Sequence, residues 1–104
     1  MILTLVQFAL PEPIDLAEAT RRFESSAPKY LGLPGLRRKH YVLSEDGRFA
    51  GGVYLWESRA AAEAVYSGEW KERVAALYGS EPVVTWFESP VSVDNLTGRI
   101  ETGL

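Results

Sequence analysis

The chain has no cysteine, a single histidine (His40) and a single methionine among its 104 residues. Without thiols, disulfides, thiolate nucleophiles and Cys-based metal sites are excluded. One histidine excludes a multi-histidine metal centre, and no metal is expected. Long apolar runs are also missing. The N-terminal run breaks at Gln7 and Pro11, and no basic segment precedes it. It is too short for a signal sequence or a membrane span, so a cytoplasmic protein without membrane contact is expected. Nor is there a strong charge of either sign: 11 Lys and Arg face 14 Asp and Glu, a net charge of −3. Arg37-Arg38-Lys39-His40 is one short basic run with no aromatic RNA-binding signature, so no nucleic-acid partner is expected. There is no internal repeat and no low-complexity segment. Asn95-Leu96-Thr97 matches the glycosylation sequon, which means nothing without secretion.

What the chain does have is apolar mass, 46% hydrophobic residues with 12% aromatics. That is enough for one compact core with aromatic area left over for a pocket or an interface. Residues 2–9 read as a strand apolar on both faces, with Ile2, Val6 and Phe8 on one and Leu3, Leu5 and Ala9 on the other. Pro11 and Pro13 end it. Asp15 is placed as a helix N-cap with Glu18 at the capping-box position, and Leu16, Ala19, Phe23 and Ala27 follow at helical spacing. Pro28 stops that helix. Leu36 to Leu43 alternates as a second strand. Asp46-Gly47 supplies a hairpin turn into a third strand, Phe49 to Trp56. Ser58 caps a helix to about residue 67, interrupted at Gly68. A second helical piece carries Trp70, Val74, Leu77 and Tyr78, with Gly79 as its C-cap. Val83 to Glu88 is the last strand. The chain is polar and weakly patterned from Ser89 onward. The expected division is a domain over 1–95 and a C-terminal tail over 96–104.

The order βαββαβ is the ferredoxin-like α+β arrangement, a four-stranded antiparallel sheet ordered β4-β1-β3-β2. Helices cover one face. Apolar residues on both faces of the central strands require a second cover, and the same face of a second copy supplies it, giving a homodimer.

Val53-Tyr54-Leu55-Trp56-Glu57-Ser58, followed by an Ala-rich helix and Gly68-Glu69-Trp70-Lys71, resembles the antibiotic-biosynthesis-monooxygenase-like group of dimeric α+β barrels. Pro34-Gly35-Leu36, a central Lys39 and the run Ala50 to Trp56 are most similar to YdhR-type mono-oxygenases, as is Glu81 to Phe87 ending at Ser89-Pro90-Val91-Ser92. The resemblance covers about residues 3–94. It implies a ligand pocket between sheet and helices in each subunit. It also implies cofactor-independent oxygenation of a small aromatic or hydroxyquinone-like compound. Triplet O₂ reacts slowly with closed-shell molecules, but a substrate held as its phenolate or enolate can give it one electron. Such a site needs an apolar cavity, aromatic walls and donors aimed at the oxyanion. A haem-degrading branch of the same superfamily uses an Asn, a Trp and a His. Aligned through Trp56-Glu57-Ser58, these fall near Gln7, on Val65 and on Ala75, so haem chemistry is rejected and no cofactor is expected. Two other functions fit the same fold. One is a non-catalytic small-molecule binding or sensing dimer. The other is a proton-transfer isomerase or lyase with His40 as base.

His40, Gln7 and Tyr54 are the polar candidates for catalysis. With the turn centred on Asp46-Gly47, His40 is expected to share a sheet face with Arg38, Tyr54 and Trp56, a cluster suited to a planar acidic aromatic. The bland reading is an exposed edge-strand histidine. Gln7, polar within an apolar strand, either orients a ligand oxygen or bonds backbone. Trp56 and Trp86 are candidate pocket walls, with Tyr30 and Tyr66 near helix ends at a pocket mouth; all four serve equally as core packing. Gly51-Gly52 marks either a close backbone approach or cleared space above the sheet. Either Tyr54 with Trp56 or Val53 with Leu55 faces the pocket.

Overall fold

The computed structural model describes residues 1–103. Eight residues of β1 (Ile2–Ala9) lead through the Pro11-Glu12-Pro13 turn to α1 (Leu16–Ser26) and a 3-10 turn (Ala27–Lys29). The hairpin β2 (Leu36–Leu43) and β3 (Phe49–Trp56) follows, then α2 (Arg59–Val65), α3 (Gly68–Tyr78) and β4 (Val83–Glu88). The four strands form one antiparallel sheet ordered β2-β3-β1-β4, as the ferredoxin-like reading expects. No helix among the described residues is long and apolar enough to cross a membrane.

The local signals act as their chemistry dictates. Asp15 accepts a hydrogen bond from the Glu18 amide at 2.8 Å, and Ser58 accepts one from the Ala61 amide at 3.1 Å. Each satisfies a donor that a helix start would otherwise leave free. The reciprocal half of the first capping box is absent, because the Glu18 carboxylate turns outward to Arg21 and Arg22. Gly79 ends α3 in the left-handed conformation at φ 79°. Gly47 does the same in the β2–β3 turn at φ 71°, where the Ser44 amide bonds the Phe49 carbonyl at 2.8 Å.

The two central glycines divide the two roles open to them. A Cβ on Gly51 would stand 1.8 Å from the Val6 carbonyl oxygen, so this glycine permits a close backbone approach between β1 and β3. A Cβ on Gly52 would stand 3.1 Å from both Lys39 Cε and Tyr54 Cε1. Gly52 therefore clears room above the sheet, and a lysine stem fills it.

The helix-facing side of the sheet carries Val6, Phe8, Tyr54 and Trp56, all buried, against Ala19, Ala62, Trp70 and Val74. The buried Thr4 hydroxyl accepts the Trp56 indole N–H at 3.0 Å and shares a hydrogen bond with the Tyr66 hydroxyl at 2.6 Å. A buried hydroxyl without partners would cost about 1–3 kcal/mol, so these bonds hold β1, β3 and the end of α2 in one geometry. The opposite face carries Leu3, Leu5, Val53 and Leu55, half-buried, with Phe87 exposed.

The polar segment from Ser89 onward, which reads as a tail or an arm, carries two short strands. Strands β5 (Val91–Asp94) and β6 (Arg99–Thr102) form a separate two-stranded hairpin, and residue 95 falls in its turn. Two four-residue strands are too short to produce a clear alternating pattern, and Asp94 makes the turn by accepting the Leu96 amide at 2.9 Å.

Gly51→Ala is expected to destabilise the fold by about 2–4 kcal/mol, because backbone on a neighbouring central strand must move. The midpoint of urea unfolding measures it, and an unchanged midpoint would contradict the close approach.

Candidate functional site

The β2–β3 ladder pairs Lys39 with Tyr54, His40 with Val53 and Tyr41 with Gly52. Directly opposed residues of an antiparallel pair lie on the same face. Each even-numbered residue of β2 along this stretch is thus opposite an odd-numbered residue of β3. The expected face-sharing of His40 and Arg38 with Tyr54 and Trp56 is overturned for this reason. His40 is exposed and lies on the open face with Val53. Gln7, opposite Gly51, is exposed on that face too and is not the buried amide expected of an apolar strand. Tyr54 and Trp56 face the helices.

Lys39 takes the interior position. Its Nζ lies 3.4 Å from the centre of the Tyr30 ring, 3.8 Å from that of Tyr41 and 4.6 Å from that of Tyr54. Three elements build this cage: the 3-10 turn after α1 brings Tyr30, β2 brings Tyr41 and β3 brings Tyr54. Phe23 of α1 stacks on Tyr41 at 4.8 Å, and Tyr30 meets Tyr54 edge-on at 5.9 Å. The phenols are anchored as well. The Tyr41 hydroxyl bonds the Ser26 hydroxyl at 2.7 Å, and the Tyr30 hydroxyl accepts the Trp70 indole N–H at 3.1 Å.

Lys39 lies in the lining of two neighbouring spaces. The inner one is a cavity of about 40 Å³ reaching Lys29, Arg73 and Tyr78. The outer one is an open cleft of about 250 Å³ reaching Leu31, Arg37 and Arg38. Tyr30, Lys39 and Tyr41 border both. The inner cavity holds a few water-sized groups and no aromatic ring. Among the described residues neither space has a carboxylate in its lining, whereas Lys29, Lys39, Arg73, Arg37 and Arg38 all contribute to one or the other. Among the described residues, no salt bridge reaches Lys29, Lys39 or Arg73. The lining of the site is cationic.

Two effects oppose each other at Lys39. Burial and then the charge of Arg73 push its amine down to about 7. The ring faces favour the ammonium form, each such contact contributing about 0.5–2 kcal/mol. The amine thus exchanges a proton at neutral pH. Burial pushes the Tyr41, Tyr54 and Tyr66 phenols up, and Tyr78 up to about 12, so these four phenols stay protonated at neutral pH.

The other expected site residues form a second layer. Tyr66 stands edge-on to Tyr54 and Trp56, both at 5.7 Å, and to Trp86 at 5.8 Å. Trp86 carries the Arg59 guanidinium over its ring at 4.2 Å. Tyr66, Trp56 and Trp86 stiffen the wall behind Tyr54 and line neither space. Tyr30 and Tyr54 line the cavity, and Arg38 borders the outer cleft. Lys39, Tyr41 and Arg73 carry the site without having been singled out as site residues. The hairpin parity and the adjacent Gly52 were the available signals for the first two; Arg73 reaches the cavity from a distant helix and left none.

No protein-family model and no curated protein matches the chain. Solved structures do. The ferredoxin-like fold is shared with solved structures that include antibiotic biosynthesis monooxygenases. A monooxygenase of Streptomyces coelicolor, solved with nanaomycin D, is similar at TM-score 0.66 and 20% identity over 85% of this chain and 86% of that one. SnoaB, a cofactor-independent oxygenase of Streptomyces nogalater, is similar at TM-score 0.61 and 18% identity over 85% of this chain and 91% of that one. A protein of unknown function from Nitrosomonas europaea is similar at TM-score 0.66 and 16% identity over 88% of this chain and 90% of that one.

The shift at Lys39 sets a pH dependence of stability. Between about pH 7 and the ordinary amine range near 10, the unfolded chain binds a proton that the folded chain lacks. Stability therefore rises with pH through this window, and the contribution is lost as pH falls through about 7. Lys39→Met is expected to flatten that rise and to stabilise the fold by about 1–3 kcal/mol at pH 6, with little gain at pH 10. Thermal unfolding of both proteins across this range tests it.

Proposed function

We propose that the protein is a cofactor-independent mono-oxygenase acting on a one- or two-ring hydroxyaromatic or hydroquinone, bound in the outer cleft with its acidic oxygen at Lys39. The observation that carries this reading is a proton-accepting amine inside a tyrosine cage, in a site lined by cations and no carboxylate. The neutral Lys39 amine takes the substrate proton. The resulting ammonium stays on the ring faces and holds the oxyanion, with Arg73 and Arg38 adding to the positive field. The ionised ring then gives one electron to O₂. The radical pair joins at a ring carbon bearing hydrogen. Loss of water from that hydroperoxide leaves one oxygen atom on the product as a carbonyl. The cleft volume of about 250 Å³ favours one or two rings over three. The fold shared with a cofactor-independent oxygenase supports the reaction class, and the YdhR-type resemblance belongs to the same reading.

Oxygen uptake with a panel of one- and two-ring hydroquinones, in metal-free and flavin-free buffer, tests the proposal. Turnover above autoxidation is expected, with kcat/KM rising as pH increases through about 7. Lys39→Met is expected to lower kcat about 10²-fold or more. Tight binding without oxygen uptake would instead favour the small-molecule binding reading. His40 lies outside both spaces, so His40→Ala is expected to retain activity, and loss of activity would instead favour the isomerase reading with His40 as base.

The functional unit is a homodimer in this reading. Leu3, Leu5, Val53, Leu55 and Phe87 form an apolar patch on the sheet face that also carries Gln7 and His40, and no helix among the described residues covers it. Sedimentation at micromolar concentration is expected to give a dimer, and Phe87→Glu a monomer with unchanged far-ultraviolet circular dichroism. A wild-type monomer would contradict the assembly.

A further inference from the structure

Lys39 has a second chemical capacity that oxygenation does not use. A neutral buried amine is a nucleophile as well as a base, and lysines become nucleophilic when burial or a neighbouring cation suppresses protonation. Both conditions hold here. Nζ sits among three rings, Arg73 lines the same inner cavity, and no carboxylate in either space holds the amine charged. The outer cleft gives solvent-borne molecules a route to it.

Size and charge narrow the electrophile. The inner cavity of about 40 Å³ accommodates only a few non-hydrogen atoms beside Nζ. Lys29 and Arg73 flank it without carboxylate partners among the described residues, so an anionic group is favoured. We propose that Lys39 is a covalent capture site for small 2-oxo acids, forming an imine with the carbonyl while Arg73 and Lys29 hold the carboxylate.

The reaction balances without a further reagent. The Lys39 nitrogen lone pair forms a bond to the carbonyl carbon, giving a carbinolamine. Both amine protons end on the former carbonyl oxygen, which leaves as water, and a C=N bond remains. The groups facing Lys39 are Lys29 and Tyr30 from the 3-10 turn, Tyr41 from β2, Tyr54 from β3, and Arg73 and Tyr78 from α3. The Tyr30 hydroxyl accepts from Trp70, which leaves its own proton free to donate to the departing oxygen.

The chain has only three lysines, Lys29, Lys39 and Lys71, so the assignment can be read directly. Glyoxylate with cyanoborohydride at about pH 7, followed by proteolysis and mass spectrometry, is expected to carboxymethylate Lys39 about tenfold faster than Lys29 or Lys71. The reason is that an ordinary lysine amine is almost wholly protonated there. Labelling of Lys39 is expected to be half-maximal near pH 7. Equal labelling of the three lysines, or Lys39 labelled last, overturns the proposal. Arg73→Gln is expected to lower the ratio of glyoxylate to acetaldehyde labelling at Lys39 several-fold. That ratio cancels any change in amine basicity and does not require Lys39 to be altered. An unchanged ratio overturns the assignment to 2-oxo acids. Oxygen uptake plays no part in this readout, so the imine and the oxygenation can fail separately.

Discussion

The register of β2 on β3 is the constraint on which the site depends. Four consecutive residues, Arg37 to His40, carry basic or imidazole side chains, and a strand sends alternate residues to opposite faces. The turn closed by Ser44 and Phe49 aligns Lys39 with Tyr54. A slip of one residue would send His40 to the interior and Lys39 to the open face. The same register puts Tyr41 opposite Gly52, beside the lysine stem. One turn geometry thus decides which basic residue is half-buried among the rings.

The aromatic slab behind the cage explains how so polar a pocket persists inside so small a domain. Tyr54 and Trp56 stack nearly parallel, 7° apart, and Tyr66 meets both edge-on. Each such pair contributes about 0.5–1.5 kcal/mol beyond its buried area. Thr4 ties the slab to β1 through two hydrogen bonds. Desolvating an ammonium costs several kcal/mol, which the rings offset only in part. The remainder appears as the lowering of the Lys39 amine to about 7. Likeness to oxygenases and to a protein of unknown function on one fold shows why the chemistry must be argued from this site.

Much of the scaffold was legible in the residue order. Asp15, Ser58 and Gly79 act locally, through bonds and backbone angles reaching only a few residues, so their positions can be read without the fold. The sheet order follows from short connections and the two-sided apolar character of the central strands. The hairpin at residues 91–102 was not legible, because four-residue strands show too few alternations. Tyr30 and Tyr54 were singled out and line the cavity. Gln7 was singled out as a polar residue in an apolar strand, but β1 is two-sided and Gln7 lies on the exposed side.

The amino-acid sequence by itself determined the elements, their order and the absence of thiol and multi-histidine chemistry, because these depend on composition and on neighbours along the chain. Tertiary structure decided which side of Gly51 to Trp56 faces the helices, and that Lys39 rather than His40 meets Tyr54. It also decided that Arg73 lines the same cavity as Lys39, which lies across the sheet and helix layers from it. Burial and the proximity of charges across three elements exist only once the layers pack, and it is those two quantities that push the Lys39 amine down to about 7.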